Sequence, residues 1–161
     1  MSISRKILTQ HEAKTHTSNH KYRIGIIVSR YNQDITEKLL NSTLQTLNKH
    51  PKVNQNIQLI WVPGAFELPL AAKRMATTKK WHAIICLGAI IKGETSHYDY
   101  ICQETVHGIG EVSRETNLPI IFGVLTTLTR QQAIDRTKGK LNKGKEAVNT
   151  AIEMLEALSN I

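Results

Sequence analysis

Apolar residues along this chain fall into four short, nearly uninterrupted runs, separated by stretches with helical spacing. The runs are Arg23 to Ser29 (RIGIIVS), Ile57 to Val62 (IQLIWV), His82 to Ile91 (HAIICLGAII) and Pro119 to Leu125 (PIIFGVL). β-Branched runs with little polar alternation are the pattern of strands buried on both faces. Between them the period changes. Leu39, Leu40, Thr43, Leu44 and Leu47 form a helical stripe after Asp34-Ile35-Thr36-Glu37, whose order is that of a capping box. Pro69, Leu70, Ala71, Ala72 and Met75 predict a second helix with proline in its first turn. Thr95 and Ser96 stand where they can cap a third helix, which carries Ile101, Thr105, Ile109 and Val112 on one side. Thr129 and Gln132 make another capping-box pair before Ala133 and Ile134. A last helix from about Lys143 places Val148, Ala151, Ile152, Leu155 and Leu158 at core spacing.

Strand then helix, four times over and followed by one more helix, requires parallel pairing through right-handed crossovers. The expected fold is therefore α/β, a three-layer sandwich around a mainly parallel four-stranded sheet, doubly wound in a flavodoxin-like layout. No composition shift or repeat divides the chain, so one domain is expected over residues 22–161. Residues 1–21 are polar and predict a flexible tail. The tail's His11, His16 and His20 have no accompanying carboxylate or cysteine framework, so no metal site is read there.

With 161 residues and a mass of 18.1 kDa, the chain is long enough to bury a core of its own. A hydrophobic content of 40% argues against disorder, and no apolar run approaches the length of a membrane span. The first twenty residues lack the apolar centre of a signal peptide, and Cys86 and Cys102 form no CxxC pair. A cytoplasmic protein with reduced thiols is expected, without a membrane partner.

The net charge of +8 admits nucleic acid, an acidic surface or a phosphorylated small substrate as partner. The basic residues are dispersed, and no basic stripe is interleaved with stacking aromatics, so nucleic acid is not expected. Gly139 to Lys145 (GKLNKGK) imitates the start of a phosphate-cradling GxxxxGK loop. Glu146 then stands where Ser or Thr would hold magnesium, and the segment follows a helix instead of a strand. A nucleoside-triphosphatase is rejected.

In a parallel sheet, ligands bind outside the carboxyl ends of the strands. Here those ends carry Ser29-Arg30-Tyr31-Asn32, Val62 to Glu67, Gly88 to His97 and Gly123 to Thr127. In the third segment Gly93 admits close backbone approach, and Thr95 and Ser96 bring hydroxyls to a helix N-terminus, where an anion binds readily. The same residues also suit an ordinary strand-to-helix turn. His97, in the first turn, is either a proton-transfer group or one of several surface histidines. Glu67 fits a polyol or amine, or serves only as a first-turn acid. Tyr31 and Phe66 stack on a flat heterocycle or cover the sheet edge.

Taken together, SRYN (Ser29 to Asn32), VPGAFELP (Val62 to Pro69), LGAIIKGETSHYDYI (Leu87 to Ile101), IIFGVLTT (Ile120 to Thr127) and QAIDR through NKG (Gln132 to Gly144) resemble the lumazine synthase family. The resemblance spans nearly everything from Tyr22 to the last helix. It implies condensation of 5-amino-6-(D-ribitylamino)uracil with 3,4-dihydroxy-2-butanone 4-phosphate, without metal or organic cofactor. Carried over residue by residue, it implies that Tyr31 stacks on the pyrimidine, that Asn32, Ala65, Phe66 and Glu67 bind the same substrate, and that Ala89, Ile90 and Ile91 present backbone groups to its ring. Glu94, Thr95 and Ser96 would form the phosphate loop, with Arg136 and Lys143 as further phosphate contacts and His97 as the proton-transfer residue. Phe122, Arg136 and Lys143 would come from a neighbouring subunit. The implied partners are small-molecule substrates, further copies of the chain in a pentamer, decamer or 60-subunit shell, and a riboflavin synthase. Two alternatives are an archaeal-type riboflavin synthase and a non-catalytic lumazine- or flavin-binding relative.

Overall fold

All six residues of the first strand, β1 (Ile24–Ser29), are buried, as are all but the last of β3 (Ala83–Ile91). That burial follows from their position, because the sheet order is β2-β1-β3-β4 and every pairing is parallel. The edges are β2 (Gln58–Val62) and β4 (Ile120–Thr127). The register sets Ile26 beside Leu59 and Ile85, and Cys86 beside Phe122. These features come from a computed structural model that describes residues 21–54 and 56–161. The tail expected over residues 1–21, with His11, His16 and His20, lies outside the described residues except for Lys21.

Among the described residues there are five helices: α1 (Gln33–Lys49), α2 (Leu68–Thr77), α3 (His97–Thr116), α4 (Arg130–Asp135) and α5 (Lys143–Leu158). Short 3₁₀ turns occupy Ala65–Glu67 and Gly139–Leu141. On one sheet face Ile24, Ile26, Val28, Ile85 and Leu87 pack with Leu39 of α1 and Val148 and Ile152 of α5. On the other, Ile27, Ile84, Cys86 and Val124 pack with Leu68 and Met75 of α2 and Ile109 and Val112 of α3. The expected three-layer, doubly wound α/β sandwich is therefore present. Each fully buried Ile or Leu contributes about 1.5–3 kcal/mol of transfer free energy. α1 and α5 meet closely at Gly144, whose carbonyl accepts the Thr43 hydroxyl at 3.1 Å; a Cβ there would strike the Leu39 carbonyl.

Local signals fared unevenly. The Thr129–Gln132 capping box forms, with Gln132 N–H donating to Thr129 Oγ1 at 3.2 Å and Thr129 N–H to Gln132 Oε1 at 3.3 Å. The box expected from Asp34 does not: α1 begins two residues earlier, after Asn32, whose backbone is in the left-handed region and whose side chain makes no cap. Ser96 is the N-cap of α3 but also makes no side-chain cap. Leu158, expected in the core, lies in the last helical turn and is exposed, and Cys102 is only half-buried. Among the described residues no helix is long and apolar enough to cross a membrane.

Candidate active site

The order β2-β1-β3-β4 makes the carboxyl ends of β1 and β3 the switch point of the sheet, where crossovers leave toward opposite faces. A cleft of about 360 Å³ opens there. The loop after β1 is drawn toward β2 by two backbone bonds, Arg30 N–H to the Val62 carbonyl at 2.8 Å and Tyr31 N–H to the Pro63 carbonyl at 3.0 Å. Pro63-Gly64 then turns the chain so that Ala65, Phe66 and Glu67 face the same opening. Glu67 Oε2 accepts the Gly64 N–H at 2.8 Å, which fixes the carboxylate at the cleft wall.

Nine of the residues singled out from sequence line this cleft together: Tyr31, Ala65, Phe66, Glu67, Ala89, Ile90, Ile91, Thr95 and His97. Tyr31 is 73% exposed and Phe66 54%, so two large rings present their faces to solvent across an otherwise buried strand end. Exposed aromatics at the mouth of an apolar cleft are suited to a flat ring. Thr95 and His97 bring a hydroxyl and an imidazole to the start of α3, where the helix dipole favours an anion. A Cβ on Gly93 would meet nothing within 4 Å, so the loop is open to a ligand.

Three residues expected with these do not line the cleft. Glu94 and Ser96 are exposed and lie off its wall. Asn32 is partly buried, and its side-chain amide donates to the Ala89 carbonyl at 2.8 Å.

Phe122, Arg136 and Lys143 gather elsewhere, in a second cleft of about 390 Å³ along β4 and α5. No residue lines both clefts. Lys143 N–H donates to the Arg136 carbonyl at 2.9 Å, so the two cations are held side by side by backbone. Asn142 caps α5 by accepting from Lys145 N–H at 3.1 Å and takes the Ser42 hydroxyl at 2.8 Å, which anchors the start of that helix on α1. Lys143 Nζ meets both Glu146 oxygens, at 2.6 and 2.7 Å. Phe122 is 40% exposed on the sheet's open edge.

Burial, with the Cys102 thiol beside it, pushes the Tyr98 phenol above its ordinary range. Burial likewise raises Cys102, and pushes Cys86 up to about 12. All three stay protonated at neutral pH, so neither thiol is a ready nucleophile. Among the described residues no group of three or more His, Cys, Asp or Glu side chains is placed to hold a metal.

Sequence reasoning missed Gly64, Tyr98 and Ile101 in the first cleft, and Glu146, Ala147 and Thr150 in the second. The signal was present in helical spacing. His97, Tyr98 and Ile101 share one face of α3, and Lys143, Glu146, Ala147 and Thr150 one face of α5.

Two exposed rings, a fixed carboxylate, a helix start and an imidazole around one cleft can hold a flat polar ligand and move protons. Comparison with known proteins agrees with that chemistry. The family model for 6,7-dimethyl-8-ribityllumazine synthase matches residues 21–159. A protein of Protochlamydia amoebophila (strain UWE25) named 6,7-dimethyl-8-ribityllumazine synthase is 53% identical over 137 residues, which cover 84% of this chain and 80% of that one. With a match across nearly its whole described length, this chain belongs to the 6,7-dimethyl-8-ribityllumazine synthase family.

Proposed function

We propose that this protein joins 5-amino-6-(D-ribitylamino)uracil to 3,4-dihydroxy-2-butanone 4-phosphate, giving 6,7-dimethyl-8-ribityllumazine, phosphate and two waters. The observation that carries the reading is the assembly of Tyr31, Phe66, Glu67, Thr95 and His97 around one cleft at the β1/β3 switch point in a chain of this family. Tyr31 and Phe66 stack on the pyrimidine, and Glu67 accepts from the ribityl hydroxyls with its carboxylate held by Gly64. The amine and ketone form an imine with loss of water, phosphate leaves, and ring closure releases the second water. Each step moves protons, and His97 is the group within reach to move them; one positioned histidine contributes roughly 10²–10⁴-fold. Holding two substrates together supplies much of the remaining acceleration.

The phosphate end is the composite part of the proposal. Thr95 and the start of α3 receive the phosphate from one side. Arg136 and Lys143, with Phe122, receive it from a neighbouring copy whose second cleft closes over the first. Support comes from the separation of the two clefts and from the edge position of β4, which has no strand partner on its outer side among the described residues. A cation pair there stabilises the charge that grows on the leaving phosphate. Such an interface is heterologous and closes as a ring, in keeping with a pentamer or a larger shell built from pentamers. Residues 22–161 form the catalytic domain in this reading and 1–21 an appended tail, in line with a family match that starts at residue 21. Two unpaired cysteines suit cytoplasmic operation.

Mixing the purified full chain with both substrates and following lumazine absorbance and fluorescence tests the proposal. Product above the spontaneous background is expected. A folded protein that binds lumazine without making it would replace this reading with that of a binding protein.

A further inference from the structure

Asn32 is an N-cap whose side chain does not cap. Asparagine at a helix start ordinarily accepts an amide hydrogen of the first turn, yet here no such bond forms. Its side chain turns instead to a strand 57 residues away and donates to the Ala89 carbonyl at 2.8 Å. Its backbone sits at φ 58°, ψ 46°, a left-handed conformation that disfavours most side chains. Asn32's own carbonyl accepts from Ile35 N–H at 2.9 Å and Thr36 N–H at 3.1 Å, so the turn and the helix start move as one piece. Two neighbouring bonds, from Arg30 and Tyr31, tie that piece to the end of β2. The Asn32 amide is the side-chain bond that ties it to β3.

We propose that Asn32 is a positioning residue for the pyrimidine subsite, clamping the β1–α1 turn to Ala89 so that the Tyr31 ring and the end of β3 stand at a fixed separation. Among residues that readily adopt positive φ, glycine has no side chain and aspartate no donor, so asparagine alone supplies both the turn and the clamp. The clamp also engages the Ala89 carbonyl. Asn32 thereby acts on ligand through Tyr31 and Ala89, both of which line the cleft, while it does not. The inference rests on the reading of that cleft as the pyrimidine site.

The test uses the full-length chain with Asn32→Gly and Asn32→Asp. Glycine keeps the turn unstrained and removes the clamp. Aspartate keeps size and turn tolerance but sets one acceptor against another. For Asn32→Gly the KM for 5-amino-6-ribitylaminouracil is expected to rise by up to about tenfold, the yield of one lost part-buried hydrogen bond, while the KM for the phosphorylated substrate stays within about twofold. Asn32→Asp is expected to lose at least as much. Competition by 5,6-diaminouracil, which lacks the ribityl chain, is expected to weaken by the same factor as binding of the full pyrimidine. A loss confined to the ribityl-bearing compound would make Asn32 a direct ribityl contact and overturn the inference. Equal shifts in both KM values would mark a general loosening and also overturn it, as would variants identical to wild type. A wild-type chain that makes no product fails the proposed function itself, an outcome distinct from an active wild type matched by active variants.

Discussion

Gly123 offers a sharp test of how core packing serves the second cleft. It sits in β4 opposite Leu87 of β3, buried, between Phe122 and Val124, and lines the cleft that holds Arg136 and Lys143. A Cβ at this position would stand 2.8 Å from the Cys86 carbonyl oxygen and 2.7 Å from Leu87 Cδ2. The side-chain carbon can yield. The carbonyl cannot, because it belongs to the parallel sheet's backbone. Relief requires β4 to shift outward by several tenths of an ångström. Overpacking of this kind costs about 1–3 kcal/mol. Replacing glycine also stiffens the unfolded chain and returns about 0.5–1 kcal/mol. The net expectation for Gly123→Ala is a loss of about 1–2 kcal/mol. For a chain of this length that lowers the melting temperature by about 2–8 °C. Urea titration at fixed protein concentration, followed by Trp61 and Trp81 fluorescence, measures it. Gly93→Ala is the control, since its Cβ meets nothing within 4 Å and only the unfolded-chain gain of about 0.5–1 kcal/mol should show, as a slightly raised unfolding midpoint. A Gly123→Ala midpoint equal to or above wild type would refute the claim that the β3–β4 spacing is set by the absence of a side chain there.

Three further outcomes follow from the same geometry. His97→Ala is expected to lower turnover by roughly 10²-fold or less while substrate binding survives, because approximation of the substrates persists; total loss in a folded variant would contradict that. Glu146→Gln releases Lys143 from a two-oxygen ion pair, so inorganic phosphate should inhibit at about 3- to 10-fold lower concentration. Unchanged inhibition would remove Lys143 from the phosphate subsite. Cys86, whose thiol burial pushes up to about 12 from 9.0, stays protonated when folded but ionises above about pH 9 when unfolded. Stability should therefore fall by up to about 1.4 kcal/mol per pH unit over that alkaline window and not below it. Denaturant midpoints of wild type and Cys86→Ala compared from pH 8 to 10 check this, since equal slopes would mean that the buried thiol plays no part.

The alternation of strand and helix was readable because parallel strands buried on both faces become continuous apolar runs, as β1 and β3 do. The rim of the first cleft was readable for a topological reason, since all strands of a parallel sheet end on the same side. What local pattern did not contain was anything imposed by distant chain. Asp34 has the capping-box spacing, yet α1 starts at Gln33, because backbone bonds from Arg30 and Tyr31 to the Val62 and Pro63 carbonyls and the Asn32 bond to Ala89 set the turn. Leu158 has core spacing, but it falls in the last turn of α5 and remains exposed. The grouping of Phe122 with Arg136 and Lys143 depends on β4 being an edge strand, and strand order is not written in hydrophobic periodicity. Their separation from the first cleft becomes visible only in three dimensions.

The central claim is that one working site needs the first cleft of one copy and the second cleft of another. Its most direct test is complementation between Glu67→Ala, which damages the first cleft, and Arg136→Ala, which damages the second. Each variant alone should be strongly impaired at subsaturating substrate. When the two are co-expressed in equal amounts, random neighbours in a closed ring leave about one site in four with both clefts intact, so about a quarter of wild-type activity should return. A mixture no more active than the average of the two variants would mean that each site is built within a single chain, and would contradict the account.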